Sequence, residues 1–260
     1  MTFQADALAG QHIIISGGAG AIGTGIVRKL TDHGARMTVN DILEPQVAQE
    51  HLQTAGVNLG RIRYVQGDLT QPDAVNQLIV TAQAAFGPIH TALCHTGVVI
   101  PGPLLDFTLE DWQRTQSINV TAAFLLAQAA AKTMLANEMA GHLLFTTSWV
   151  ARVPWPEIGP YTSSKAAMNQ LMRAFGRELA DKNIRANCIA PGIVSVGMAK
   201  RQWDTDPVYQ ARARKAIPLG HMQPLDSVTD AFLFMCSPAA SYMTGSVLTV
   251  DGGCSLYPMD

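Results

Sequence analysis

Hydrophobic positions along the chain switch repeatedly between two spacings, and the switches lay out a fold. Residues 11–16 (Gln-His-Ile-Ile-Ile-Ser) form a short β-rich apolar run, and residues 22–33 carry apolar positions at helical spacing. Further strands are predicted over residues 34–41, 61–66, 89–94, 142–147, 184–190 and 246–250. Helices are predicted between them: one entered at Glu44 with Pro45 in its first turn, one over 72–86 stopped by Gly87-Pro88, long ones over 112–136 and 161–181, and one over 225–236. Strands joined by crossover helices pair in parallel, so the pattern predicts an α/β fold built on a doubly wound sheet. No repeat or linker divides the chain, and residues 1–260 are expected to form a single domain. Residues 192–218 show no regular pattern, and irregular segments of that length in compact domains often serve as lids.

Composition narrows the functional classes. Charged residues make up 15% of the 260, against about 25% in typical soluble proteins. So sparse a charge predicts surface hidden in subunit contacts, hence an oligomer. A net charge of −2 without any basic block offers nothing to a nucleic acid or an anionic membrane. The apolar stretch around residues 120–131 is shorter than a bilayer span, and the first residues lack the basic start and apolar core of a secretory signal. Cys94, Cys188, Cys236 and Cys254 are scattered without a C-x-x-C pair, and the seven histidines show no ligand spacing. No metal site is therefore expected, and reduced thiols in a cytoplasmic protein are.

Two segments carry candidate chemistry. Ser16-Gly-Gly-Ala-Gly-Ala-Ile-Gly23 joins the first predicted strand to the first helix. Glycines at Gly17, Gly20 and Gly23 let a pyrophosphate approach the main chain, and free N–H groups at a helix start favour an anion. The Lys-Ser/Thr tail of an ATP- or GTP-binding loop is absent. Asp41 ends the second predicted strand, where a carboxylate accepts hydrogen bonds from ribose hydroxyls and repels a 2′-phosphate. With no Lys or Arg in residues 17–23, NAD is favoured over NADP. The second segment is Tyr161-Thr-Ser-Ser-Lys165, whose ends share a face of a helix, with Ser148 closing the strand before it. A phenol, an ammonium and a hydroxyl are the parts of a proton-transfer device.

Taken together, Gly17, Gly23, Asp41, Asp68 in Gly-Asp-Leu-Thr, Asn119, Ser148, Tyr161, Lys165 and Pro191-Gly192 resemble, in type and order, the short-chain dehydrogenase/reductase family. The resemblance runs from the glycine turn to Thr249-Val-Asp-Gly-Gly253. It implies a seven-stranded parallel sheet of order 3-2-1-4-5-6-7 and a homotetramer built on the two long helices. It implies that Asn119, Ser148, Tyr161 and Lys165 are catalytic, with Tyr161 as the base or acid, Ser148 gripping the reacting oxygen, and Lys165 holding the phenolate and the nicotinamide ribose. By the same resemblance the cofactor lies on the turn, with Ala21 and Ile22, and against Asp68 and Leu69 at the adenine. Thr96, Gly97, Pro191 and Gly192 are assigned to it as well.

Three departures from the family pattern stand out. Cys94-His-Thr-Gly97 replaces Asn-Asn-Ala-Gly, removing side chains that tie strands together. Ala21 stands where the turn usually has a second glycine. Val196 stands where a Thr usually bonds the nicotinamide carboxamide, leaving backbone groups of Ile193 or Val194, or the Ser195 hydroxyl, to serve instead. The loop between Ser148 and Tyr161 contributes Trp149, Arg152, Trp155 and Glu157 toward a substrate, and His95 reads first as a space-filling group and otherwise as one that reaches the cofactor ribose or the substrate. An aromatic wall with polar groups suits a sugar or polyol, or a cyclic or hydroxy-acid substrate, as a small-molecule alcohol or ketone. A 3-oxoacyl thioester reductase and a non-catalytic NAD-binding regulator remain as alternatives.

Overall fold

The computed structural model describes residues 3–256; residues 1–2 and 257–260 of the expected domain lie outside that range. The chain runs β1 (His12–Ser16), α1 (Gly23–Asp32), β2 (Arg36–Asp41), α2 (Pro45–Thr54), β3 (Ile62–Gln66), α3 (Pro72–Phe86) and β4 (Thr91–Cys94). It continues through α4 (Leu109–Gln116), α5 (Ala122–Ala136), β5 (Gly141–Thr146), α6 (Gly159–Leu179), β6 (Ile184–Pro191), α7 (Gly197–Thr205), α8 (Pro207–Ala216), α9 (Leu225–Cys236) and β7 (Val247–Val250). Every strand pairing is parallel, and the order is β3-β2-β1-β4-β5-β6-β7. The expected sheet is therefore the observed one.

Both faces of the sheet are covered, which is why its central strands read as nearly unbroken apolar runs. Alternate residues supply separate cores. Ile14, Cys94, Leu143, Phe145 and Cys188 pack with α3, α5 and α6. Ile13, Ile15, Leu93, Leu144 and Ile189 pack with α1 and α9 on the other face. Cys94 is buried as the small hydrophobe expected of it.

Two elements differ from the sequence reading. The segment 192–218 is not irregular, because it folds into α7 and α8. Asp206 caps α8, its Oδ1 accepting from the N–H groups of Val208 and Tyr209, and Pro207 takes the first helical position. The long helix also begins earlier and is interrupted. α4 and α5 are joined by a π-helical turn, Ser117–Thr121, so that Leu109–Ala136 forms one helical run of 28 residues. By length and composition that run is long and apolar enough to cross a bilayer, contrary to the expectation from residues 120–131 alone. Within the domain, however, 44% of its most apolar window is buried, with α5 lying on α3, β4 and β5.

The N-terminal ends of the strands hold a row of buried polar groups. His12 Nε2 lies 2.9 Å from Thr38 Oγ1, and the His12 N–H donates to His90 Nδ1 at 3.1 Å. Asn187 Nδ2 donates to His142 Nε2 at 3.0 Å and to the Met243 carbonyl at 2.8 Å. Accepting at Nε2 fixes His142 as the neutral imidazole. Burial lowers the pKa of all three histidines, most strongly that of His142, which also faces the Arg185 cation. Neutral histidines bind fewer protons folded than unfolded. Stability is therefore full above the unfolded value of about 6.5 and falls as pH drops below it. The urea midpoint is expected to fall between pH 7.5 and 5, with a shallower fall in His142→Leu; equal slopes in the two proteins would remove His142 from this account.

Candidate active site

The C-terminal ends of the strands gather the predicted residues around one cavity of about 1020 Å³. The cavity opens beyond the ends of β1 and β4, neighbours in the sheet on either side of which the strand order runs in opposite directions, the point at which doubly wound sheets hold ligands. Gly17 follows β1 with φ +69°, and a Cβ there would lie 3.0 Å from the Thr96 Cα. A Cβ on Gly23 would lie 2.3 Å from the Gly17 carbonyl oxygen, so the turn closes only with glycine. No acidic residue occupies the first turn of α1, and no side chain caps it. Among the described residues the N–H groups of Ala21 and Ile22 have no hydrogen-bond partner, and both residues line the cavity with Gly17 and Gly20. This is a cradle for an anion. The Ala21 methyl points toward the start of α7, where a Cβ on Gly197 would come within 3.1 Å of it.

Asp41, Asp68, Leu69, Thr96, Gly97, Gly192 and Val194 line the same cavity. Asp41 Oδ2 accepts from Ala19 N–H at 3.1 Å, tying the carboxylate to the glycine turn. The residue beyond it, Ile42, is apolar and 67% exposed. Pro191 closes β6 beside Gly192 without lining the cavity. In the segment that follows, the Ile193 carbonyl accepts from Gln223 N–H at 2.8 Å and the Ser195 N–H donates to the Gln223 carbonyl at 2.9 Å. Those two backbone groups are spent, whereas the Val194 N–H and carbonyl make no such bond among the described residues.

The four residues implied as catalytic come together. Asn119 sits fully buried in the π-helical turn. Its Oδ1 accepts from Val98 N–H at 2.8 Å, and its Nδ2 donates to the Val98 carbonyl at 3.0 Å and to Ser164 Oγ at 2.9 Å. It thus clamps the loop after β4 to α6. Lys165 is 2% exposed, and its Nζ donates to the Thr146 carbonyl at 2.9 Å and touches Met168 Sδ at 3.6 Å. Nζ also lies 5.5 Å from the centre of the Tyr161 ring, and a Cβ on Gly97 would meet it at 3.2 Å. Burial lowers the Lys165 ammonium to about 8, opposed by the nearby Cys188 thiol. Burial likewise pushes the Tyr161 phenol up to about 12, and a hydrogen bond with Ser148 acts the other way. Tyr161 and Ser148 line the cavity, while Lys165 and Asn119 support it from beneath.

Comparison with known proteins agrees with this geometry. Residues 17–255 match the family model described as enoyl-(acyl carrier protein) reductase. The chain is 29% identical to 3beta-hydroxysteroid dehydrogenase 1 of Eggerthella lenta over 97% of both proteins. It is 31% identical to glucose 1-dehydrogenase 2 of Bacillus subtilis, covering 96% of this chain and 97% of that one. A solved short-chain type dehydrogenase/reductase from Mycobacterium marinum superposes with a TM-score of 0.85 at 31% identity, over 96% of this chain and 97% of that one. The chain belongs to the short-chain dehydrogenase/reductase family.

Family membership implies a nicotinamide cofactor, and the cradle at the glycine turn fits its pyrophosphate. It makes the protein an oxidoreductase acting on alcohol groups through NAD(P). Within this short-chain dehydrogenase/reductase, the strand ties missing from Cys94-His-Thr-Gly97 come from elsewhere. Ser16 Oγ accepts from the N–H groups of His95 at 3.0 Å and Thr96 at 3.1 Å, joining β1 to the loop after β4. His95 Nδ1 lies 2.9 Å from Thr146 Oγ1, and its ring meets Phe232 edge-on at 6.1 Å. Burial and the Lys165 charge push the imidazole down to about 3. His95 therefore borders the cavity as a neutral tie between β4 and β5. The sequence reading missed Ser16, although its place at a strand end before a glycine turn was visible.

Of the substrate candidates, Trp149 and Trp155 line the cavity with ring centres 5.4 Å apart, edge to face. Arg152 does not: it is exposed and outside the lining, because the short 3₁₀ turn Trp149–Ala151 carries it outward. Glu157 lines the cavity at φ +64°, and its carbonyl accepts from Gly102 N–H at 2.7 Å, joining the two loops over the site. The buried ammonium sets the expected cost of this arrangement. Holding Lys165 near 8 rather than 10.5 costs on the order of 3 kcal/mol at pH 7. Lys165→Met should therefore be no less stable than the parent at pH 7 by denaturant titration. Its relative advantage should shrink as pH rises from about 8 toward 10.4, since the unfolded lysine binds the extra proton only in that window. A variant destabilised most at low pH would reverse the sign and reject the uncompensated charge.

Proposed function

We propose that the protein is an NAD-dependent dehydrogenase of a sugar or polyol, with Tyr161 as the proton-transfer group. The observation that carries the reading is the convergence of Tyr161, Lys165 and Ser148 at the cavity floor, with an ammonium that has no carboxylate to neutralise it among the described residues. A nicotinamide dinucleotide would be held by the turn of Gly17, Gly20, Ala21 and Ile22 and would supply the hydride acceptor for the carbinol carbon. The protein does the rest. Ser148 hydrogen-bonds the alcohol oxygen and fixes its distance from Tyr161. Tyr161 takes the hydroxyl proton, and Lys165 stabilises the phenolate that makes this possible near neutral pH. Asn119 holds the frame in which these groups meet. In the reductive direction Tyr161 returns the proton to the forming alkoxide.

The preference for NAD rests on Asp41 and on the neutral Ile42 beside it. The sugar or polyol reading rests on the faces of Trp149 and Trp155, with Glu157, Gln202 and Arg212 as polar partners in the same cavity. The similar glucose 1-dehydrogenase supports it. Apolar lining from Val99, Ile118, Ile158 and Met198 supports a second reading, a bulkier cyclic alcohol, in keeping with the similar 3beta-hydroxysteroid dehydrogenase. Acyl thioesters belong in the same substrate panel, given the description of the matching family model. The exposed Leu105, Leu109, Trp112 and Phe124 beside and along α4 and α5 support a homotetramer built on that face. Light scattering should then give four times 27.8 kDa. Four free thiols fit a cytoplasmic home.

Tyr161→Phe is expected to lower kcat by about 10²–10⁴-fold on the best substrate while leaving NAD binding intact; turnover at the parent rate would sink the mechanism. Asp41→Ala is expected to narrow the preference for NAD over NADP, measured as a ratio of kcat/KM values. A parent enzyme equally fast with both cofactors would reject the ribose argument.

A further inference from the structure

The proton-transfer chemistry leaves two cations in the cavity unused. Arg114 of α4 and Arg212 of α8 both line it, and neither makes a hydrogen bond or ion pair among the described residues. Arg212 is pre-positioned: its guanidinium lies 5.9 Å from the centre of the Trp155 ring. Trp155 is braced in turn by edge contacts with Trp149 at 5.4 Å and Tyr209 at 6.3 Å. A cation over the ring face is drawn to it and keeps its N–H donors unspent. Other arginines of the same loop and lid, Arg152, Arg201 and Arg214, do not face the cavity, and Arg214 stacks on Trp203 instead. Four carboxylates, Asp41, Asp68, Glu157 and Asp206, line the same cavity as the arginines. Asp206 spends one oxygen capping α8, and Glu157 makes no side-chain hydrogen bond among the described residues, so it can accept substrate hydroxyls.

We propose that Arg212, assisted by Arg114, binds a carboxylate on the substrate, so that the preferred alcohol is a sugar acid or hydroxy acid rather than a neutral sugar. The proposal rests on the dehydrogenase reading above and narrows its substrate class. A planar guanidinium grips a carboxylate through two parallel N–H···O bonds. The Trp155 face, held beside that grip, packs against the C–H surface of the carbon chain.

Matched pairs that differ by one carboxylate test it: glucitol against gluconate, xylitol against xylonate, glucose against glucuronate. Binding to the NADH complex is read from tryptophan fluorescence, and kcat/KM is read separately with NAD or NADH. At least one pair should show about tenfold or greater preference for the acid. Arg212→Gln should abolish that preference, weakening binding of the acid at least about tenfold more than that of its neutral partner, Arg212→Lys should keep part of it, and Glu157→Gln should increase it. Unchanged thermal midpoints and NADH affinity in the variants exclude a folding defect. No acid preference in any pair, or a preference that survives Arg212→Gln, overturns the proposal. Arg212-dependent acid binding without any turnover would keep the anion site and refute the dehydrogenase reading; turnover of neutral polyols without acid preference would do the reverse.

Discussion

A charged amine buried with only one carbonyl oxygen and a thioether for company is the feature on which this structure turns. Lys165 is buried at 2% exposure, and Thr146 and Met168 are its polar contacts. An ammonium in such a place is held below its ordinary pKa by lost hydration. Any negative charge that forms nearby recovers part of that loss, and the Tyr161 phenol, with its ring centre 5.5 Å from Nζ, is able to form one at the cavity. Tyr161 alone is pushed the opposite way, up to about 12. Each residue is thus poorly placed as a lone ion and well placed as half of a pair. The positive ring of an oxidised nicotinamide, if bound in the same space, would favour the phenolate further.

Much of the remaining architecture serves to keep those two groups together. The π-helical turn between α4 and α5 delivers Asn119 to the point where it can hold Val98 and Ser164 at once. Ser164 Oγ donates to the Tyr161 carbonyl at 2.7 Å, so the clamp reaches the backbone of Tyr161 itself. Thr146 serves twice: its carbonyl holds Lys165 and its hydroxyl meets His95. Parallel strands bring all of these groups to one end of the sheet, while the histidine row occupies the other. The same sheet therefore separates a stabilising polar belt from the reactive end.

The fold and the residues that meet at the candidate site were legible in the sequence for specific reasons. Strands buried on both faces, such as His12–Ser16, leave compact apolar runs that helices of different period separate cleanly. The glycine turn, Asp41, Ser148 and the Tyr161–Lys165 spacing each follow from a local geometric demand. The helices α7 and α8 were not read, because mostly exposed helices carry little periodic signal, although Asp206-Pro207 is a cap followed by a first-turn proline. Arg152 and Arg212 show the limit most plainly. Both are arginines near a tryptophan, and only the placement of a 3₁₀ turn and of α8 in the folded chain turns one outward and the other into the cavity. His95 was read as a substrate or space-filling group, while its tie to Thr146 depends on strands far apart in sequence.

The coupling of Lys165 to Tyr161 is measured most directly by ultraviolet titration of tyrosinate in the NAD complex, taken as the difference between the parent and Tyr161→Phe. The account predicts one phenol ionising well below its usual value of about 10 when NAD is bound, and returning above it in Lys165→Met. A Tyr161 that ionises at or above about 10 in the parent NAD complex would contradict it.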